Sequence, residues 1–316
     1  MRKIKVIGLV SLLCLCCTGC TSQNQKLKVA LIVKSTTSQF FKSVQSGANA
    51  ASKEYNIELN YMGPDNEEDY KTQVDMIYKA IKNDVDAIVL SSIDYNKLVD
   101  PVEEAIDAGI PVIIIDSDVN CDRVSSRITT DNTVAGKMAG EAIISQNEKP
   151  IVVGIVNFDA NTANGQEREN GFKSAIKDHP AIQSIYTINV QSNTESATRN
   201  TKKLLKEHPD INTLVTFNEW TTLGVGYAVK EESLMDEIFV VGFDNNPVSV
   251  GMLETGEVDS LIVQNPFVMG YLGVEQAQRI IHRKSLKEDI TYTKTVLLNK
   301  ENMFDKEIQK IVFPFH

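Results

Sequence analysis

Cysteine is scarce wherever it could brace a fold. Of the five cysteines, Cys14, Cys16, Cys17 and Cys20 crowd into the first twenty residues, and only Cys121 lies beyond them. The rest of the chain therefore cannot close an internal disulfide. The four histidines, His179, His208, His282 and His316, are scattered without metal-ligand spacing. There is no Walker A sequence, no G-x-G-x-x-G after an apolar run and no G-x-S-x-G elbow. Nucleotide cradling and serine hydrolysis thereby lose their usual signatures. Positive charge is in deficit: the formal net charge is −10, and no basic cluster interleaves with aromatics. A nucleic-acid partner needs a basic face, so that class is excluded. After residue 17 no apolar run is long enough to cross a bilayer. Pro/Gly/Ser-rich linkers and low-complexity tracts are missing too, so any domains join closely.

The N-terminus carries an address. Arg2, Lys3 and Lys5 precede an apolar run from Val6 to Cys17, which has the length of a signal-peptide core and is too short for a spanning helix. Leu15-Cys16-Cys17-Thr18-Gly19-Cys20 follows and resembles a bacterial lipobox, with Cys17 standing where leucine is usual. In that reading Cys20 is acylated; the plainer alternative is a cleaved signal with a coincidental cysteine. Thr21 to Lys26 then reads as a short tether. An exported chain without disulfides needs a large core, and 42% hydrophobic residues supply one, most naturally as two domains.

From Lys28 onward, short apolar runs alternate with amphipathic segments. The runs are Val29–Val33, Ala87–Leu90, Val112–Ile115, Ile151–Val156, Leu214–Phe217, Phe239–Val241 and Leu261–Val263. Continuous Val/Ile/Leu runs mark strands buried on both faces, hence parallel sheet. Between them, Tyr70, Val74, Ile77 and Ile81 recur at helical spacing after Glu67-Glu68-Asp69, read as a solvated helix start. Ser192-Asn193-Thr194-Glu195 reads as a capping box opening a helix toward Leu204 and Leu205. The pattern predicts an α/β fold in two halves.

Polar residues follow each run. They are Lys34-Ser35, Ser91-Ser92, Asp116-Ser117, Asn157, Asn218-Glu219, Asp244-Asn245 and Gln264-Asn265. Ligands of open parallel sheets bind outside the carboxyl ends of the strands. Two such edges facing each other make a cleft of Asp, Asn, Gln and Ser, a donor–acceptor set matched to a polyhydroxylated molecule. Each residue singly could instead cap the following helix. Phe40-Phe41, after Ser38, and the lone Trp220 could face the cleft or fill a core. A glycosidase would need two carboxylates flanking a scissile bond, which Asp116 and Asp244 could only imitate.

Taken in order, these segments resemble the ribose-binding protein family, the type I periplasmic sugar-binding proteins, from about Leu27 to Thr295. The likeness rests on Val29–Val33 with Phe40-Phe41, Gly109-Ile110-Pro111 running into Val112–Asp116, and Thr130-Asp131-Asn132 before Gly136. It continues in Arg168-Glu169-Asn170-Gly171-Phe172, Val240–Asp244 and Gln264-Asn265-Pro266. The resemblance implies two Rossmann-like parallel-sheet lobes joined by a three-strand hinge near Thr129-Thr130, Gln264-Asn265 and Thr293-Lys294. The lobes would be residues 28–130 plus 265–293 and 131–264 plus 294–316, behind a signal peptide (1–19) and a lipidated tether (20–27). It implies that Phe40 and Phe41 stack on a sugar, and that Asp116, Arg168, Asn218, Asp244 and Gln264 bond its hydroxyls. Ser38, Ser117, Asp131 and Trp220 are further candidates.

Three departures set this cleft apart from that of ribose binders. Ser117 stands where they carry Arg, Ser38 where they carry Asn, and their second-lobe aromatic is replaced near Ser192. The tail beyond Val296 also runs longer. The expected function is a non-enzymatic, cofactor-free lipoprotein on the extracytoplasmic face of the cell membrane. It would hand a monosaccharide to an ABC permease or present its closed state to a sensor kinase. Charged cleft residues are expected at exposed strand and helix ends, where truncation costs little stability.

Overall fold

A computed structural model of the chain describes residues 26–146, 150–158, 160–286 and 288–312; Cys20, the leader and residues 313–316 lie outside them. The first series runs β1 (Lys28–Ile32), α1 (Gln39–Glu54), β2 (Glu58–Met62), α2 (Tyr70–Lys82), β3 (Ala87–Leu90), α3 (Val99–Asp107), β4 (Val112–Ile115) and β5 (Ser126–Thr129). The second runs α4 (Asn132–Ile144), β6 (Ile151–Phe158), α5 (Ala163–Ile176), β7 (Ile182–Val190), α6 (Thr194–Glu207), β8 (Thr213–Thr216), α7 (Glu219–Glu231), β9 (Phe239–Phe243), α8 (Pro247–Thr255) and β10 (Ser260–Val263). Then come α9 (Pro266–Ile281), β11 (Ile290–Tyr292), β12 (Val296–Asn299) and α10 (Lys306–Val312).

Two six-stranded sheets result, ordered β11-β5-β4-β3-β1-β2 and β12-β10-β9-β8-β6-β7. The same order is built twice. All pairings are parallel except β10 with β12. The inner strands are the apolar runs. Alternate side chains of β1 split between two cores: Val29 and Leu31 pack with α1 and α9, Ala30 and Ile32 with α2 and α3. A strand buried on both faces must read as a continuous apolar run, which is why these strands were legible. The edge strands β2 and β7 were not recognised in the sequence. Their residues are mostly half-buried or exposed, so no unbroken run marks them.

The chain passes between the sheets three times, after β5, after β10 and between β11 and β12. There, Thr130 Oγ1 donates to Gln264 Oε1 at 2.8 Å and the Thr293 amide to the Thr129 carbonyl at 2.8 Å. In each lobe one helix pair crosses closely through reciprocal glycines. A Cβ on Gly47 would sit 1.9 Å from the Phe267 carbonyl oxygen, and one on Gly136 2.0 Å from that of Arg168.

Side-chain caps start most helices. Ser38, Asp69, Asp131, Asn193, Asn218, Asn246 and Asn265 each accept a backbone N–H of the helix they precede. Two expectations are corrected here. The cap of α6 is Asn193, not Ser192, which leaves the Ser192 hydroxyl free to point elsewhere. Of Glu67-Glu68-Asp69, only Asp69 caps α2; Glu67 is buried and Glu68 reaches the other lobe. No helix among the described residues is long and apolar enough to cross a membrane.

Candidate functional site

The lobes stand closed, carboxyl edge to carboxyl edge, around a narrow cavity with about 20 Å³ of free space. Phe40, Phe41, Asp116, Arg168, Asn218, Asp244, Gln264 and Ser38 all line it. Among the described residues five more line it: Lys34, Glu67, Phe158, Asn164 and Glu219. Lys34 and Glu219 occupy the strand-end positions that the sequence flags. Phe158 ends β6 one residue beyond Asn157, and supplies an aromatic from the second lobe that sequence reasoning missed. Asn157 itself turns away, donating to Glu169 Oε2 at 2.6 Å.

Two carboxylates face the cavity from equivalent places. Asp116 follows β4 and Asp244 follows β9, the third strands of their sheets, and both have positive φ, 58° and 67°. Their amides donate to the carbonyls of Ile128 and Ile262 on the neighbouring strands. The left-handed backbone costs energy for a residue with a Cβ, and such strain collects at functional sites. Asp116 accepts from Ser91 Oγ at 2.8 Å and, across the cleft, from Asn164 Nδ2 at 3.3 Å. Asp244 accepts from Gln264 Nε2 at 2.6 Å.

Arg168 projects from α5, 1% exposed. Its Nε donates to Asn132 Oδ1 at 2.9 Å, Nη1 to the Phe217 carbonyl at 2.7 Å and Nη2 to Gln264 Oε1 at 2.7 Å. Its guanidinium carbon lies 4.9 Å from the centre of the Phe243 ring. All these partners come from the second series, so the bonds do not depend on closure. The expectation that Arg168 adds little to stability is thereby corrected: it is a brace as well as a cavity residue.

Phe40 and Phe41, edge to face at 5.1 Å, form one wall, and Phe158 stands opposite with Lys34 Nζ 5.3 Å above its ring. Lys34 also pairs with Glu67 at 3.5 Å. Asn218 both caps α7 and donates to Ser192 Oγ at 2.7 Å, so capping and cavity lining coincide in one residue.

The remaining candidates lie off the cavity. Asp131 caps α4, accepting from the Val134 amide at 2.9 Å. Ser117 is buried beside Asp116 with its hydroxyl unpaired. Trp220 sits at the rim and donates to Glu67 Oε1 at 3.2 Å across the lobes. Its indole thus bridges the lobes and belongs to none of the core clusters. No group of His, Cys, Asp and Glu among the described residues could hold a metal ion.

Burial pushes the Asp244 carboxyl up to about 7, against the opposing effects of Arg168 and the bond from Gln264. A folded-state value above the ordinary one, about 4, means the contribution to stability is lost as pH rises from about 4 through 7. We expect Asp244→Asn to raise the melting temperature of the sugar-free protein at pH 8 and to leave it nearly unchanged at pH 4. Asparagine tolerates the left-handed backbone better than most residues, so the comparison isolates the charge. Thermal denaturation of both proteins across that range is the check.

Residues 29–285 match the periplasmic binding protein domain model. A D-ribose/D-allose-binding protein of Pseudomonas aeruginosa is 28% identical over 265 residues, 81% of this chain and 83% of its own length. A carbohydrate-transporter solute-binding protein of Agrobacterium radiobacter, solved with D-arabinose, superposes with a TM-score of 0.87 at 28% identity, covering 91% of this chain and 99% of that one. A sugar transporter structure from Clostridium phytofermentans is 33% identical with a TM-score of 0.79, over 87% and 100% of the two chains. With two like-ordered sheets, a cavity between their carboxyl edges and a domain match over most of its length, the chain belongs to the ribose-binding-like type I periplasmic sugar-binding protein family, a family of carriers and not of enzymes.

Proposed function

We propose that this protein encloses one monosaccharide between its lobes and delivers it to an ABC permease. The moving units are residues 28–130 plus 265–293 and residues 131–264 plus 294–316, hinged at the three crossings. The observation that carries the reading is the single cavity at which Asp116, Asp244, Asn218 and Gln264 meet three aromatic rings. Carboxylates and carboxamides bond hydroxyls, Arg168 donates to sugar oxygens, and Phe40, Phe41 and Phe158 cover the apolar faces of the ring. In this closed form the lining side chains leave only about 20 Å³ free, far below the usual range of about 300–1,000 Å³ for small-molecule pockets, so the lobes must part or the lining side chains shift to admit a sugar ring. Serine at 38, a cavity residue where ribose binders carry asparagine, favours a sugar other than ribose. A thermal-shift screen over pentoses, hexoses and inositols tests the reading: one of them should raise the melting temperature, and silence from all would refute it.

The protein works from the extracytoplasmic face of the membrane, held by lipid on Cys20. Cys20→Ala should move the mature protein from the membrane fraction to the soluble fraction on cell fractionation. Full membrane retention of the variant would remove the lipoprotein reading.

A further inference from the structure

Glu219 does more than line the cavity. It is the first residue of α7 in the second lobe, yet its carboxylate is bonded to the start of α1 in the first. Oε2 accepts from Ser38 Oγ at 2.6 Å and from the Phe40 amide at 3.2 Å, and Oε1 accepts from the Gln39 amide at 3.2 Å. The first turn of a helix has N–H groups without partners inside the helix. In α1 the Phe41 amide goes to the helix's own cap, Ser38 Oγ; among the described residues, those of Gln39 and Phe40 are met only by Glu219 of the other lobe. Asn246 Nδ2 steadies Glu219 from its own side at 3.1 Å.

The arrangement is reciprocal. Glu67 and Glu68 of the first lobe reach the segment that leads into α6 of the second. Glu67 Oε2 accepts from Ser192 Oγ at 3.0 Å, and Glu68 Oε1 from the Ser192 amide at 2.9 Å. Glu67 also holds the Trp220 indole. Each lobe thus puts a carboxylate on the other's helix start, and Glu67 and Glu219 both touch the cavity.

We infer that Glu219 is a positioning residue that clamps α1, and with it the Phe40-Phe41 wall, onto the enclosed sugar, so that it governs how long the sugar is held. The inference rests on the proposed sugar-binding function. Closure follows encounter, and the bonds to α1 exist only once the lobes have met. Their loss must therefore appear in release, not in capture. Glutamine at 219 keeps the shape, but its amide end presents donors to a donor, leaving one α1 amide unpaired.

The test is stopped-flow Trp220 fluorescence with D-ribose, D-allose, D-arabinose and D-fucose, each mixed in turn with wild type and Glu219→Gln. Ser38→Ala provides a second variant from the opposite lobe, and the double variant closes the cycle. Glu195→Gln, an exposed acid on α6, is the control. Release should accelerate at least tenfold in Glu219→Gln, the size expected when a charged hydrogen bond is lost, with the association rate within threefold of wild type. Ser38→Ala should add little further once Glu219 is replaced. Unchanged release, a change confined to association, or full additivity of the two variants would each overturn the clamp. If wild type binds none of the four sugars nor any in the thermal-shift screen, the underlying function fails instead; wild-type binding with an indifferent Glu219→Gln rejects the clamp alone.

Discussion

Replacing Arg168 with alanine should lower stability by about 3–5 kcal/mol, the cost of breaking a buried charged network, and abolish measurable sugar binding. The guanidinium satisfies Asn132, the Phe217 carbonyl and Gln264, all beneath the closed cavity. Alanine would take the donor from Asn132 Oδ1 and the Phe217 carbonyl in a dry site, and leave Gln264 Oε1 with its bond from Thr130 alone. It would also remove the positive charge that opposes the burial-driven rise at Asp244. A fall of about 6–20 °C in melting temperature follows, at roughly 2–4 °C per kcal/mol. Lysine cannot reach three separate acceptors with one ammonium, so Arg168→Lys should recover little. Calorimetric melting without sugar is the check. A stable Arg168→Ala protein would mean that the network does not brace the lobe.

Gly136→Ala should be nearly as damaging, for a reason one step removed. A methyl group there would meet the Arg168 carbonyl oxygen at 2.0 Å and the Phe172 amide nitrogen at 2.9 Å. These are backbone atoms of α5, which cannot swing aside as a side chain can. The helices must separate, and α5 carries both Arg168 and Asn164 into the cavity. Overpacking of this kind costs about 1–3 kcal/mol and occasionally more; with backbone as the obstacle, the upper end is expected, together with weakened binding. Gly251→Ala, in α8, is the contrasting control. Nothing lies within 4 Å of the added methyl, so that substitution should leave stability unchanged or raise it by about 0.5–1 kcal/mol. Chemical denaturation of the two variants distinguishes these signs.

The parts of this molecule legible in its sequence are those fixed by one element alone. A strand covered on both faces must be apolar throughout, so β1, β3, β4, β6, β8, β9 and β10 announced themselves. The residue after such a strand sits at the sheet's carboxyl edge whatever the tertiary detail, which brought Asp116, Asn218, Asp244 and Gln264 to notice. Edge strands were hidden because β2 and β7 keep half-exposed residues. The family resemblance added Arg168, whose place in mid-helix no strand-end rule could supply.

What stayed hidden depends on two lobes at once. Glu67 and Glu68 read as the acidic start of a helix, because nothing in their neighbourhood along the chain hints at Ser192 or Trp220. Glu219 is legible as a strand-end residue, but its partners at the start of α1 lie about 180 residues away in the chain. Phe158 lies two positions beyond the apolar run that ends at Val156, behind the polar Asn157. Asp131 misled in the opposite sense: it has the chemistry of a ligand residue and the position of a helix cap, and the structure uses the cap.

A sugar held from both lobes must lose affinity when either lobe's aspartate is removed. Calorimetric titration of the monosaccharide that stabilises the protein most, run on wild type, Asp116→Ala and Asp244→Ala, tests it directly. One sugar per chain is expected, with a tenfold to hundredfold loss of affinity in each variant, on the order of one charged hydrogen bond apiece. Wild-type affinity in either variant would contradict it, because the sugar would then be held by one lobe or bound outside the cleft.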